Sequence, residues 1–330
     1  TQQAGVNFNI GGTGTANVLN ATTQFNLGGD RILASSSANG NLFAGRNSGA
    51  ANGGSDNSFF GTNSGRLNTG NNNSIFGSGA GELNTSGTSN AMFGGGAGGS
   101  NTSGGSNSFF GAAAGVSNQV GSGNAFFGTS AGILTTAGNN TFLGRSAGAA
   151  NASGSSNVAV GSDANFGSNN LSNANAFGTR SFVTQSNSLV LGSINGVNGS
   201  NVDTSVGIGT TAPANKLHIL DASNTGLRVQ NGAAGGTVAS FGSNGNFRVD
   251  SSGTSGGRFS ILENGNVGIG DNSPISRLSI VQSGSPNPAL SVVQSSALGT
   301  GLSVVLSGGA GTALTVTGSG TASTALEVSN

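Results

Sequence analysis

The chain has 330 residues, of which 63 are Gly and 4 are Pro, with charged residues at 6% and a net charge of zero. Gly without a three-residue period and with so little Pro excludes a collagen helix. The absence of Cys excludes a disulfide framework and a thiolate metal site, no basic stripe is present for nucleic acid, and no apolar run approaches the roughly 20 residues of a membrane helix. Disordered chains share the Gly-, Ser- and Asn-rich composition. They are poor in aromatics, however, and here the 18 Phe recur periodically. No signal-peptide pattern is visible.

In chain order, the first predicted elements lie in residues 1–40. Val6, Phe8 and Ile10 alternate with polar residues, as do Phe25 and Leu27. The pattern predicts two strands set off by turns at Gly11-Gly12 and Gly28-Gly29. Such strands either cap the first coil of the repeat at residues 41–200 or add to another subunit.

That repeat has a period of 16 or 17 residues and is anchored on Gly45, Gly61, Gly77, Gly94, Gly111, Gly128, Gly144, Gly161 and Gly178. An apolar pair precedes most anchors, as in Phe59-Phe60, Ile75-Phe76, Met92-Phe93, Phe109-Phe110, Phe126-Phe127 and Phe142-Leu143. Asn stands four residues before the anchor (Asn41, Asn57, Asn73, Asn90, Asn107, Asn124, Asn140, Asn157) and often seven after it (Asn52, Asn68, Asn84, Asn101, Asn118, Asn151). Ser/Ala-Gly follows the anchor by three and four residues, and a last Gly falls nine or ten after it. Two helices and their turns need about 33 residues, so this period predicts one coil of a parallel β-solenoid, or β-roll.

Neighbouring residues of a strand point to opposite faces. One apolar column therefore fills the coil and the other faces out of it. Phe59, Phe60, Phe76, Phe93, Phe109, Phe110, Phe126, Phe127, Phe142 and Phe177 form this core and interface ladder. The Asn columns are expected to stack as amide ladders between coils. Ordering a glycine in a strand costs roughly 0.5–1 kcal/mol relative to Ala, whereas burying one Phe contributes about 1.5–3 kcal/mol. Both Phe columns are therefore expected to be buried, the outer one by another chain.

Residues 201–330 change character. Val206-Gly-Ile-Gly209, Pro213 and Lys216-Leu-His-Ile219 recur 61 residues later as Val267-Gly-Ile-Gly270, Pro274 and Arg277-Leu-Ser-Ile280. Each copy predicts a strand, a tight Pro-containing turn and a second strand. Beyond them Leu290, Leu302, Leu314 and Leu326 are spaced by 12, each with Val two residues later. Strands so thinly spread predict a duplicated β-stalk in which three chains intertwine.

The Asn-Ser-Phe-Phe-Gly…Ala-Gly…Asn-Thr-Ser-Gly coils of residues 40–195 resemble the left-handed β-roll heads of trimeric autotransporter adhesins, with Asn187-Ser-Leu-Val-Leu-Gly192 as the nearest single match. The coils here are a few residues longer and carry Phe where Val or Ile is usual. The segment Val206–Ile219 and the residues C-terminal to it resemble phage tail-fibre stalks and bacterial surface proteins that share them. Both resemblances imply a homotrimeric rod.

Chemistry-bearing residues are sparse. His218 lies between Leu217 and Ile219 in a predicted strand, as an ordinary strand residue rather than a triad base. The ten acidic residues are scattered, and Gly94-Gly95-Gly96 lacks the Lys-Ser/Thr of a phosphate loop. No catalytic, cofactor-binding or metal-ligating residue is identified, and no cofactor is expected. The expectation is an all-β, non-enzymatic, extracellular or cell-surface fibre protein with a structural or adhesive role. Its partners are copies of itself and a cell-surface or matrix receptor, without nucleic acid or membrane insertion. The alternatives are a phage tail fibre for host recognition and a subunit of a polymeric filament joined by terminal strand exchange.

Overall fold

Short apolar triplets bounded by left-handed residues build only strands here. In the computed structural model, residues 24–28, 30–36, 38–220, 247–251, 254–271, 273–281 and 290 are described, and no helix occurs among them. The chain divides into two compact units, Thr1–Leu227 and Arg228–Asn330.

The first unit opens with β1 (Gln24–Leu27), β2 (Asp30–Ser36) and β3 (Asn41–Ala44). One strand per coil comes next: β4 (Ser58–Phe60), β5 (Ser74–Phe76), β6 (Ala91–Phe93), β7 (Ser108–Phe110), β8 (Ala125–Phe127), β9 (Thr141–Leu143) and β10 (Val158–Val160). Then come β11 (Asn165–Phe166), β12 (Ala174–Phe177), β13 (Phe182–Val183) and β14 (Ser188–Leu191). All except β11 and β13 join one 12-stranded sheet, in chain order; β11 and β13 pair separately. From β3 onward every pairing in the large sheet is parallel, each strand lying in register on the same strand of the next coil. This is a parallel β-solenoid, as the period predicts. β1 and β2 form an antiparallel hairpin on β3, so Phe25 and Leu27 belong to a cap on the first coil. Val6–Ile10 lies outside the described residues.

Each coil from β4 to β9 encloses one large and one small side chain beside its buried Asn columns. Phe59, Ile75, Met92, Phe109, Phe126 and Phe142 are fully buried, opposite Ser64, Ala80, Ala97, Ala114, Ala131 and Ala147, which are fully buried too. A coil this narrow excludes any Cβ at two glycines. At Gly111 (φ 140°) a Cβ would lie 2.5 Å from the carbonyl of Gly128 in the next coil. At Gly115 (φ 58°) it would lie 2.8 Å from the Phe109 ring. Both φ values also belong to the region that side chains rarely adopt.

The Asn columns close the coils. Asn73 Nδ2 and Asn84 Nδ2 both donate to the carbonyl of Gly87, at 3.0 Å each, tying the start of the coil to its end. The same fork recurs at Gly70, Gly104, Gly121 and Gly154. Between coils the two columns differ. In the first, each Asn Oδ1 accepts the backbone N–H of the next coil's Asn, as Asn107 does from Asn124 at 3.0 Å. Only the second is an amide-to-amide ladder, with Asn84 Nδ2 to Asn68 Oδ1 and Asn101 Nδ2 to Asn84 Oδ1 both at 2.6 Å. Sequence reading expected amide stacking in both columns. The first departs from it because its Oδ1 lies under a backbone donor that the strand ladder leaves free.

The second column lapses between Asn118 and Asn151. Thr135 stands where Asn would follow Asn118, and its hydroxyl bonds onward to the carbonyl of Asn151. Among the described residues, Asn118 Oδ1 is the buried side-chain atom left without a partner.

The duplicated motif forms two like modules, one in each unit. In the first unit β15 (Val206–Ile208) pairs with β16 (Leu217–Ile219). In the second, β17 (Phe247–Ser251), β18 (Thr254–Ile261), β19 (Val267–Ile269) and β20 (Leu278–Ile280) make a four-stranded sheet. β15 with β16 and β19 with β20 are parallel pairs, in equivalent registers. The expected tight turn is therefore replaced: residues 209–216 carry the chain back across the module, because a parallel pair needs a crossover rather than a hairpin. Apart from Leu290, the Leu/Val period of 12 lies outside the described residues.

Two substitutions test the Asn network. Thr135→Asn supplies the missing amide to Asn118 Oδ1 and is expected to stabilise the chain by about 1 kcal/mol, read as a higher urea midpoint. Asn107→Ala strands the buried N–H of Asn124 and is expected to cost about 1–3 kcal/mol. An unchanged midpoint in both variants would remove the network from the stability of the fold.

Candidate interaction surface

The outward side of the large sheet is the surface with the most regular chemistry. Register places Phe25, Leu33, Ala44, Phe60, Phe76, Phe93, Phe110, Phe127, Leu143, Val160, Phe177 and Leu191 opposite one another in one column across all twelve strands. Two residues earlier in each strand from β3 onward runs a second outward column: Leu42, Ser58, Ser74, Ala91, Ser108, Ala125, Thr141, Val158, Asn175 and Leu189. Neither column contains a charged residue.

The Phe rings of the first column stack face to face. Phe60–Phe76, Phe76–Phe93, Phe93–Phe110 and Phe110–Phe127 have centroids 4.6–4.8 Å apart and planes within 7° of parallel. That separation is the spacing of neighbouring strands, about 4.7–4.9 Å, so register alone stacks the rings. With their faces taken up by each other, the rings offer edges outward. Phe127 and Phe177 are each 38% exposed and Leu191 is 51% exposed.

The ladder residues read from sequence thus separate by face. Phe59, Phe109, Phe126 and Phe142 are core; Phe60, Phe76, Phe93, Phe110, Phe127 and Phe177 belong to the outward column. Sequence reading missed Phe166. It is buried and tilts against Phe142 at 5.8 Å, in the part of the core where Ala159 and Ala176 replace the large residue. The shrinkage of the inner column to Ala159 was the available signal.

The two parallel modules carry matching exposed apolar residues: Ile208, Leu217 and Leu220 in the first, Ile269, Leu278 and Val281 in the second, all between 41% and 57% exposed. Charged groups pair elsewhere. Arg66 meets Glu82 at 2.9 Å and Arg145 meets Asp163 at 2.5 Å, each between adjacent coils, and Lys216 meets Asp203 at 2.8 Å. The hydrogen bond from Lys216, helped by the N–H of Asn195, holds the Asp203 carboxyl below its usual range. The Ser279 hydroxyl and the N–H of Ser273 do the same for Asp271. His218 sits in β16 with Nδ1 accepting the N–H of Ala214 at 3.2 Å. Among the described residues no three His, Cys, Asp or Glu side chains gather as a metal site. No protein-family model, curated protein or solved structure matches the chain.

The faces of Phe126 and Phe127 predict opposite failures. Phe126→Asp puts a charge into a dry core, a loss far beyond one coil's stability, and is expected to abolish β-sheet circular dichroism. Phe127→Asp points to solvent in a single chain and is expected to keep that signal while losing self-association in sedimentation. Loss of fold in both, or in neither, would contradict the assignment of faces.

Proposed function

We propose that this chain is a non-enzymatic structural or adhesive fibre protein, acting outside the cell as a parallel homotrimer whose chains cover one another's outward apolar columns. The observation that carries this reading is the uninterrupted column of twelve apolar residues across the outward side of the large sheet. Twelve strands at about 4.8 Å make a strip about 53 Å long and roughly 12 Å wide, or roughly 600 Å². The first column is apolar throughout and the second mostly Ser, Ala and Thr; the strip they make is at the upper end of the roughly 300–600 Å² patches that monomers expose and approaches the about 800 Å² that each partner gives to a standard interface. A strip repeating at the strand spacing is matched over its whole length only by a surface of the same repeat, which another copy in register supplies.

Three chains rather than two suit the parallel modules. Each module is a pair of three-residue strands with exposed Ile and Leu. Two such pairs only face each other, whereas three close around an axis and shelter their apolar edges together. The resemblance to adhesin β-roll heads and to phage tail-fibre stalks points the same way. In this reading shape and repeat do the work: the rod holds a receptor-binding or cell-surface element at a distance.

Sedimentation of the whole chain at low micromolar concentration is expected to give one species of three chains. A folded single chain under those conditions would overturn the proposal.

A further inference from the structure

The two outward columns of the large sheet differ in height, and the difference is reciprocal. In β4 to β8 a Phe stands one residue before the anchor glycine and a Ser or Ala three before it, as Phe110 and Ser108 do. In β3 the order is inverted, with Ala44 one before the glycine and Leu42 three before it. β9 keeps the larger residue in the first column, Leu143 beside Thr141, and at β10 the two become equal as Val160 and Val158. The columns lie two residues apart along each strand, about 6.6 Å. Strand side chains stand roughly perpendicular to the sheet, so the stacked rings of the first column run along the face as a ridge, Phe93 on Phe110 at 4.7 Å. Beside it the Ser and Ala column, half-buried throughout β4 to β8, forms a furrow.

We infer that the furrow of one chain receives the ridge of a second copy lying parallel to it without axial shift, so that Phe110 packs on Ser108 of the partner subunit and Ala44 on Leu42 of the partner subunit. This rests on reading the protein as an assembly of parallel chains and adds which side chains meet across the contact. Large then meets small in β4 to β8, and small meets large in β3. Rings meeting rings would hold the two sheets apart. Rings on Ser or Ala let the faces approach to the packing density of a protein interior, as the core of an interface requires.

Other arrangements lose this match. A partner turned end for end sets ridge against ridge and furrow against furrow. A parallel partner shifted by one coil brings Leu42 against Phe60 of the partner subunit, large on large. The inversion at β3 is thus answered by the same strand of another copy at the same height, which makes a second copy in register the occupant. Around a threefold axis each chain offers its ridge to one neighbour and its furrow to the other. The same heterologous contact is then made three times and closes on itself.

The test uses full-length chains, which contain no Cys of their own. Ser108→Cys chains co-expressed with Phe110→Cys chains are expected to form a disulfide-linked pair on oxidation, as inter-sheet disulfides do in β-sandwiches. The yield is expected to be at least tenfold above that of either variant alone. Exchanging Phe110→Cys for Phe93→Cys or Phe127→Cys moves the second thiol by one coil, about 4.8 Å, and is expected to return the yield to that background. Ser74→Cys with Phe76→Cys repeats the test in another layer, in case one substitution disturbs the stack locally. Cross-links that favour the shifted pairs, or none from either in-register pair, overturn the inference. Sedimentation of the unsubstituted chain reports chain number separately: two chains with in-register cross-links remove the trimer and keep the ridge-in-furrow contact, and three chains without them do the reverse.

Discussion

The fold depends on buried Asn side chains bonding to backbone groups that a one-strand coil leaves open. Each coil of the stack has a single strand of three or four residues in the large sheet, so most of its backbone lies in corners. Buried backbone groups require partners, and the two Asn columns provide them. One carbonyl, that of Gly87, accepts amides from both ends of its own coil, while the backbone N–H of Asn90 donates to Asn73 Oδ1 in the coil before. The same side chains thus determine the closed shape of a coil and its distance from the next.

That closure sets how little the interior holds. With room for one large and one small side chain, the core cannot alone offset the ordering of 16 or 17 residues per coil. Stacking is therefore obligatory, as in other repeat proteins whose units contact only their neighbours. The requirement that coils approach at strand spacing explains the anchor glycines, since a Cβ at Gly111 meets the carbonyl of Gly128. It also explains why an aromatic column on the outside is tolerated: rings at that spacing stack without rearrangement, as Phe93 and Phe110 do at 4.7 Å. The same geometry leaves a flat, uncharged face that a single chain does not cover.

Much of this was legible in the sequence, because a short exact period converts columns of letters into columns in space. The coil, its strand, the split of each apolar pair into one inward and one outward side chain, and a role for both Asn columns follow from spacing and the alternation of side chains; which member of a pair points inward does not. The partner of each Asn did not. Asn73 and Asn84 look alike in sequence, yet one bonds onward to a backbone N–H and the other to an amide. Corner geometry decides this, and composition does not report it. Phe166 escaped for a related reason: it enters the core from the short β11–β13 pairing, outside the period that revealed its neighbours. The parallel pairing of β15 with β16 was hidden by Pro213, which reads as a hairpin turn but sits in a crossover.

The lapses in the repeat show how the two kinds of column support each other. Between the Gly111 and Gly128 coils the second Asn column fails at Thr135, leaving Asn118 Oδ1 unpartnered. At that junction both aromatic columns continue, Phe109 on Phe126 at 5.0 Å and Phe110 on Phe127 at 4.8 Å. Between the Gly144 and Gly161 coils the stacked columns of large side chains lapse instead. There Phe142 is followed by Ala159 in the inner column and Leu143 by Val160 in the outer, while Asn140 Oδ1 still takes the N–H of Asn157 at 3.0 Å. In a stack stabilised only through nearest neighbours, a junction where both failed together would let the coils part there. At the first junction the aromatic columns and the first Asn column carry the contact past Thr135, and at the second the first Asn column does so together with Phe166, which packs on Phe142 where the inner column shrinks to Ala159.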